Sequence, residues 1–226
     1  YIKSSVIELC GVELLTFNVL KDRAWEDEFK KDFHAMQFGK NLWICPSWED
    51  QAQLPTDAIV VNMNPGLAFG TGNHQTTDLC LQYLDANPPK NLNVIDFGCG
   101  AGVLAIAAAK LGAKSVLAID NDLQAVHATR ENVIYNQCDN IITTMHSEEE
   151  SDFGKCDVLV ANILTNPLIE LVSLFAKLVR PNGFLVLSGI LKDQSDMIVS
   201  CYTQYFSNLA ISNKDEWCRV CGTRKY

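Results

Sequence analysis

A row of glycines behind a buried acid is the first place where residue type and spacing meet a chemical need. Residues 94–102 read VIDFGCGAG, an apolar strand that runs into Asp96 and then meets Gly98, Gly100 and Gly102. A nucleotide-like ligand must approach the backbone closely here, where a Cβ would clash, and the turn can demand positive φ. The helix that follows aims its free N–H groups at such a ligand. The dinucleotide spacing G-x-G-x-x-G is not met, because Val103 stands where its last glycine would fall. Asp120 ends the apolar run KSVLAID, 22 residues after Gly98. A carboxylate at that strand end can accept two hydrogen bonds from ribose hydroxyls.

A second site lies further on. DVLVANILTNPL places Asn162 at the end of another strand, and open parallel sheets bind ligands outside the carboxyl ends of their strands. The Asn162 side-chain carbonyl and the Ile163 backbone carbonyl can accept the N–H bonds of an attacking amine and so aim its lone pair. Capping the next helix at Pro167 falls more naturally to Asn166. Residues 64–77, NPGLAFGTGNHQTT, read as a loop that folds over a ligand, with His74 as either a general base or a loop-positioning residue. The nine cysteines are odd in number and irregularly spaced, so reduced thiols are the reading. Cys218 and Cys221 form a C-x-x-C without a second ligand pair, and the alternating EWCRVCG reads as a strand.

Strands alternating with helices must hold these residues in place. Strand patterns fall at NLWICPSW, AIVVNM, NLNVIDF, KSVLAID, NIITTM, CDVLVANI, GFLVLSGI, LAIS and EWCRVCGT. Helical patterns fall at 22–33, from Thr76–Thr77 to Asp85, at GVLAIAAAKLG, at DLQAVHATRENVIYN, at PLIELVSLFAKLVR with its proline in the first turn, and after GFLVLSGI through Tyr205. The fold expected is α/β: a doubly wound, mostly parallel, Rossmann-like sheet of seven strands. The last two strands, joined by only a turn, make its edge antiparallel. Residues 1–20 read as the remnant of an N-terminal domain, 21–58 as a linker helix and strand, and 59–226 as the domain that does the chemistry.

The whole chain sets outer bounds. With 48% hydrophobic and 20% charged residues among 226, the composition is that of a globular protein. The uncharged stretch Phe97–Ala109 is 13 residues, too short to cross a bilayer, and no basic segment leads into an apolar run as a secretory signal would. A cytoplasmic protein with no membrane partner is expected. The net charge of −9 weighs against direct nucleic-acid binding and suits a lysine-rich protein partner.

Taken in order, these motifs resemble a known family. The run D-x-G-x-G-x-G at 96–102 is similar to the first motif of class I S-adenosylmethionine-dependent methyltransferases. Asn162 resembles the asparagine of N-P-P-Y-type motifs in enzymes that methylate nitrogen, although the chain reads N-I-L. NPGLAFGTGNHQTT, VIDFGCGAG, AID, VANIL, LSGIL and EWCRV together resemble the bacterial methyltransferases of ribosomal protein L-eleven, the stalk-base protein of the large subunit. FHAMQFGKNLWICPSW is similar to that family's interdomain region, so the likeness runs from about Asp22 to the end. Asn64 stands where the family usually has aspartate.

The resemblance implies repeated methylation of lysine side-chain and N-terminal amines, with S-adenosyl-L-methionine as donor and S-adenosyl-L-homocysteine as product. It puts donor contacts on Thr77, Gly98, Gly100, Asp120 and Asn162. It also favours a positioning role for His74, since methyl transfer from a sulfonium to a neutral amine needs little base help. It implies a family N-terminal substrate-recognition domain, of which residues 1–20 look like the last strand. The alternatives are methylation of another protein or a small amine, or a module that holds the donor without turnover.

Overall fold

The computed structural model describes residues 34–63, 74–149 and 153–226. The expected N-terminal remnant at 1–20, the helix at 22–33 and most of the glycine-rich loop lie outside these residues. His34–Tyr226 belong to one compact unit. Its strands are β1 (Met36–Phe38), β2 (Leu42–Pro46), β3 (Ile59–Met63), β4 (Asn93–Phe97), β5 (Ser115–Asp120), β6 (Ile142–His146), β7 (Cys156–Asn162), β8 (Val179–Leu191), β9 (Phe206–Lys214) and β10 (Trp217–Arg224). Its helices are α1 (Gln75–Ala86), α2 (Val103–Lys110), α3 (Leu123–Tyr135), α4 (Thr165–Glu170), α5 (Val172–Leu178) and α6 (Ser195–Tyr202). Among the described residues, no helix is long and apolar enough to cross a membrane.

Seven strands form one sheet in the order β6-β5-β4-β7-β8-β10-β9. Neighbours from β6 to β8 are parallel, while β10 runs antiparallel to both β8 and β9. This is the mostly parallel sheet with an antiparallel edge expected from the sequence. One feature of that edge was not: the last strand inserts between β8 and β9 instead of adding outside them.

Alternation along the strands builds two cores. Leu159, Ala161, Leu185 and Leu187 pack with Leu168, Phe175 and Tyr202 from α4, α5 and α6. Val158, Val160 and Val186 are buried on the opposite face, where α1 packs against β7 and β8. Helix α2 is buried from Val103 to Ala109. An apolar surface all round suits its place among β3, β4, β5 and α1. A second sheet, β1-β2-β3, draws two strands from the stretch expected to act as linker, and its described residues are hydrogen-bonded into the same unit.

Local boundaries depart from the sequence pattern in four places. His74, not a threonine, caps α1. The helix expected over 167–180 is divided at Leu171, whose backbone sits at ψ 0°. Asn166 lies inside α4, whose cap is Leu164 without a side-chain bond. Helix α6 stops at Tyr202 because Tyr205 N–H turns back to the Tyr202 carbonyl at 3.0 Å.

Candidate active site

The glycine turn leaves β4 at the centre of the sheet. Gly98 and Cys99 both donate to the Ile119 carbonyl, at 2.8 and 2.9 Å, which ties the turn to β5. Gly98, Gly100 and Gly102 have φ of 79°, 55° and 85°. Helix α3 straps the turn from the side: Thr129 Oγ1 donates to the Gly100 carbonyl at 2.8 Å and Asn132 Nδ2 to the Ala101 carbonyl at 2.9 Å. The loop is therefore held before any ligand arrives.

Asp120 stands at the end of β5, beside that turn. Its Oδ2 accepts the Gly100 N–H at 2.9 Å and its Oδ1 the Asp122 N–H at 3.0 Å. Each carboxylate oxygen keeps a further lone pair, so the group can still accept from a diol. Helix α3 is capped by Asp122, which accepts from Gln124 N–H at 2.8 Å. Asp120 is thus not needed as the cap.

Asp96 lies beneath the turn, 1% exposed. Its Oδ2 accepts the Ala105 N–H at 2.9 Å, binding the start of α2, and its Oδ1 has no partner. Burial raises its pKa to about 7, opposed by the Ala105 bond and aided by the Asp120 charge.

Asn162 ends β7 across the cleft from the turn. Its Nδ2 donates to Thr77 Oγ1 at 3.1 Å. That bond fixes the amide so that its carbonyl oxygen stays available as an acceptor. Thr77 is fully buried, behind Asn162, while its neighbour Thr76 lines the cleft.

Ile163 sits between two glycines. A Cβ on Gly98 would overlap Ile163 Cγ2, and a Cβ on Gly189 would overlap the Ile163 carbonyl. Gly189, at φ 84°, lets β8 pack closely against that carbonyl. Its signal in the sequence was a glycine at the carboxyl end of the strand pattern GFLVLSGI.

The C-terminal hairpin completes the wall. Trp217 meets the His74 ring at 4.8 Å and 71°. His74 Nδ1 in turn lies 2.8 Å from Thr76 Oγ1 and accepts the Thr76 N–H at 3.4 Å. Lys214 forms an ion pair with buried Asp78, and Arg219 donates to the Leu79 carbonyl at 2.8 Å. The hairpin thereby clamps the first turn of α1, which carries Thr76 and Thr77. Sequence reasoning assigned Trp217, Lys214 and Arg219 no role, because each acts through a partner more than a hundred positions away.

Two adjoining cavities result. The larger, of about 790 Å³, is lined by His74, Thr76, Gly98, Asp120, Asn162 and Trp217, among others. The smaller, of about 420 Å³, shares Gly98 and Asp120 and adds the apolar Phe97, Ile119, Phe153 and Leu174. The structure therefore brings Gly98, Gly100, Asp120, Asn162 and Ile163 to one cleft, with Thr77 directly behind it. Among the described residues there is no group of three or more His, Cys, Asp or Glu that could hold a metal ion.

Known proteins resemble this chain in sequence and fold. The family described as ribosomal protein L11 methyltransferase (PrmA) matches residues 2–225. A ribosomal protein L11 methyltransferase from Haemophilus influenzae (strain PittEE) is 50% identical over 206 residues, 91% of this chain and 69% of that protein. One from Shewanella piezotolerans is 47% identical over 206 residues, 91% and 70% of the two chains. The crystal structure of a ribosomal protein L11 methylase from Lactobacillus delbrueckii subsp. bulgaricus superposes with a TM-score of 0.76 at 33% identity, over 86% of this chain and all of that one. An RNA methyltransferase from Salinibacter ruber, solved with S-adenosyl-L-homocysteine, shares the fold at 15% identity and a TM-score of 0.53, over 65% and 90% of the two chains.

Proposed function

The chain belongs to the ribosomal protein L11 methyltransferase family, and from that premise we propose that it moves methyl groups from S-adenosyl-L-methionine to lysine side-chain and N-terminal amines of ribosomal protein L11. It is a methyltransferase with a Rossmann-like fold. The observation that carries the proposal is Asn162, held by Thr77 at 3.1 Å and facing the glycine turn and Asp120 across one cleft.

The residues suit that donor. The apolar cavity lined by Phe97, Ile119, Phe153 and Leu174 fits a flat base. Asp120, with lone pairs to spare, fits the ribose hydroxyls. The bare backbone of Gly98–Gly100 fits the close approach of the amino-acid portion. When bound, the donor supplies an electrophilic methyl on a sulfonium and leaves as S-adenosyl-L-homocysteine.

The chain's own groups do the rest. The Asn162 carbonyl and the Ile163 carbonyl accept the N–H bonds of the incoming amine, so its lone pair points at the methyl. A free lysine amine has a pKa of about 10.4, so little is neutral at pH 7. An apolar cleft lowers that value and enlarges the reactive fraction. The proton lost on the way to the neutral amine goes to water. A cytoplasmic setting matches this reading and the free thiols.

The test is methyl incorporation into ribosomal protein L11 against a panel of other amines, with Asn162→Ala beside the wild type. Incorporation confined to the ribosomal protein, and a loss in the variant of about a hundredfold in turnover, an effect typical of lost transition-state contacts, support the reading. Full turnover in Asn162→Ala with unchanged donor affinity would remove Asn162 from its role.

A further inference from the structure

We propose that Trp217, steadied by His74, forms the wall of the subsite that receives the alkyl stem and methylated head of the acceptor amine. The inference rests on the reading above, that the acceptor is an alkyl amine, and adds the residue that recognises it.

Sheet order carries the argument. Along the carboxyl edge of the parallel strands stand Asp120 on β5, the glycine turn after β4, Asn162 on β7, Gly189 on β8 and, at the amino end of antiparallel β10, Trp217, in the spatial sequence β5-β4-β7-β8-β10. The ribose end of the donor is fixed at Asp120 and its base in the smaller cavity. An in-line transfer needs the acceptor to arrive from the side opposite the leaving sulfur. Asn162 aims the amine, so the stem extends past Gly189 toward Trp217. Gly189 and Trp217 line the same cavity as Asn162.

Trp217 is well placed for the task. Its backbone pairs with Leu191 of β8 and Lys214 of β9, three residues beyond the Asn162–Ser188 register, so the ring overhangs the strand ends. It lines the larger cavity and is half-buried. The edge-type contact with His74 fixes the indole against rotation. An indole offers apolar area to methylene groups and a π face to an alkylammonium cation. Each methyl added makes the head larger and less hydrated, so contact with the ring improves as methylation proceeds.

The experiment compares wild type, Trp217→Ala, Trp217→Phe and Trp217→Leu on ribosomal protein L11. It reads acceptor KM, donor-site affinity by calorimetry with S-adenosyl-L-homocysteine, and methyl number by mass spectrometry. Trp217→Ala should raise acceptor KM at least tenfold, keep the calorimetric Kd within twofold and shift products toward fewer methyls. Trp217→Phe should retain most of the wild-type pattern. If the alanine variant does not fold, Trp217→Leu carries the test, since it keeps apolar bulk and removes the ring. Wild-type KM and methyl number in the ring-less variants overturn the proposal, as does a rise in the calorimetric Kd that accounts for the loss. No transfer by the wild type overturns the acceptor assignment itself, and the amine subsite with it.

Discussion

The donor-facing and acceptor-facing sides proposed for the cleft are built by different means. On the donor-facing side the glycine turn is held by backbone bonds to Ile119 and by two side chains of α3, Thr129 and Asn132. On the other side, Asn162 depends on Thr77, and the first turn of α1 depends on Lys214 and Arg219. The donor half is assembled from neighbours along the chain. The acceptor half is assembled from distant segments. Ile163 stands where the halves meet, pressed by Gly98 from one and Gly189 from the other.

That junction gives the largest expected effects. Gly98→Ala and Gly189→Ala each force an alanine to positive φ, at about 1–2 kcal/mol, and add a steric overlap of about 1–3 kcal/mol. The overlaps differ in kind. At Gly98 the obstacle is the Ile163 side chain, and at Gly189 it is the Ile163 backbone. Adding Ile163→Ala should therefore restore part of the stability and donor binding lost in Gly98→Ala, and nothing lost in Gly189→Ala. Urea melts and calorimetry on the two double variants measure this. Equal rescue of both would break the distinction between the halves.

Asp120→Ala comes next. Two hydrogen bonds to a charged acceptor are lost, each worth about 1.5–3 kcal/mol before water compensates. Donor affinity should fall about a hundredfold while acceptor KM changes little. A rise confined to acceptor KM would place Asp120 in the wrong half.

Asp96 sharpens the donor side in another way. Its folded pKa of about 7 exceeds that of an ordinary carboxyl. Between roughly pH 4 and 7 the folded state keeps a proton that the unfolded chain has released, so this group's contribution to stability falls as pH rises and levels off above pH 7. Asp96→Asn does not titrate and keeps an acceptor for the Ala105 N–H. From pH 5 to pH 8 the stability difference should move in the variant's favour, by about 2 kcal/mol. A constant difference in melts across that range counts against the buried charge.

The two halves were unequally legible in the sequence. The glycine turn, the acid that ends β5 and the asparagine that ends β7 lie at strand ends and announce themselves by residue type, so the residues that meet at the cleft could be read directly. The alternation of strands and helices gave the parallel sheet and its antiparallel edge. What spacing alone did not convey was pairing at long range. The insertion of β10 between β8 and β9 comes from strand pairing chosen in the folded sheet, the place of Thr77 behind Asn162 from a contact between residues 85 apart, and the capping of α1 by His74 from a competition that residue type leaves undecided. Trp217 and Gly189 were visible within EWCRV and LSGIL, but their chemistry needs the neighbours that folding supplies.

The smallest expected effect probes the clamp itself. Lys214 is 44% exposed and its partner Asp78 8% exposed, so the ion pair sits at the rim of the hairpin. Solvent screens such a pair to about 1 kcal/mol or less. Lys214→Met should lower stability by about that amount, and Gln82, which donates to Asp78 Oδ1 at 2.8 Å, keeps the carboxylate from being stranded. The informative readout is how the loss divides. The clamp acts on α1, and α1 reaches the chemistry through Thr77 and Asn162, so turnover and acceptor KM should shift a few-fold while donor affinity stays put. Raising salt should weaken the wild type toward the variant, because a half-exposed pair is screened and the backbone bonds around the glycine turn are not. A Lys214→Met protein that loses donor affinity in step with turnover would show that the hairpin holds both halves, and the division drawn between them would have to be moved.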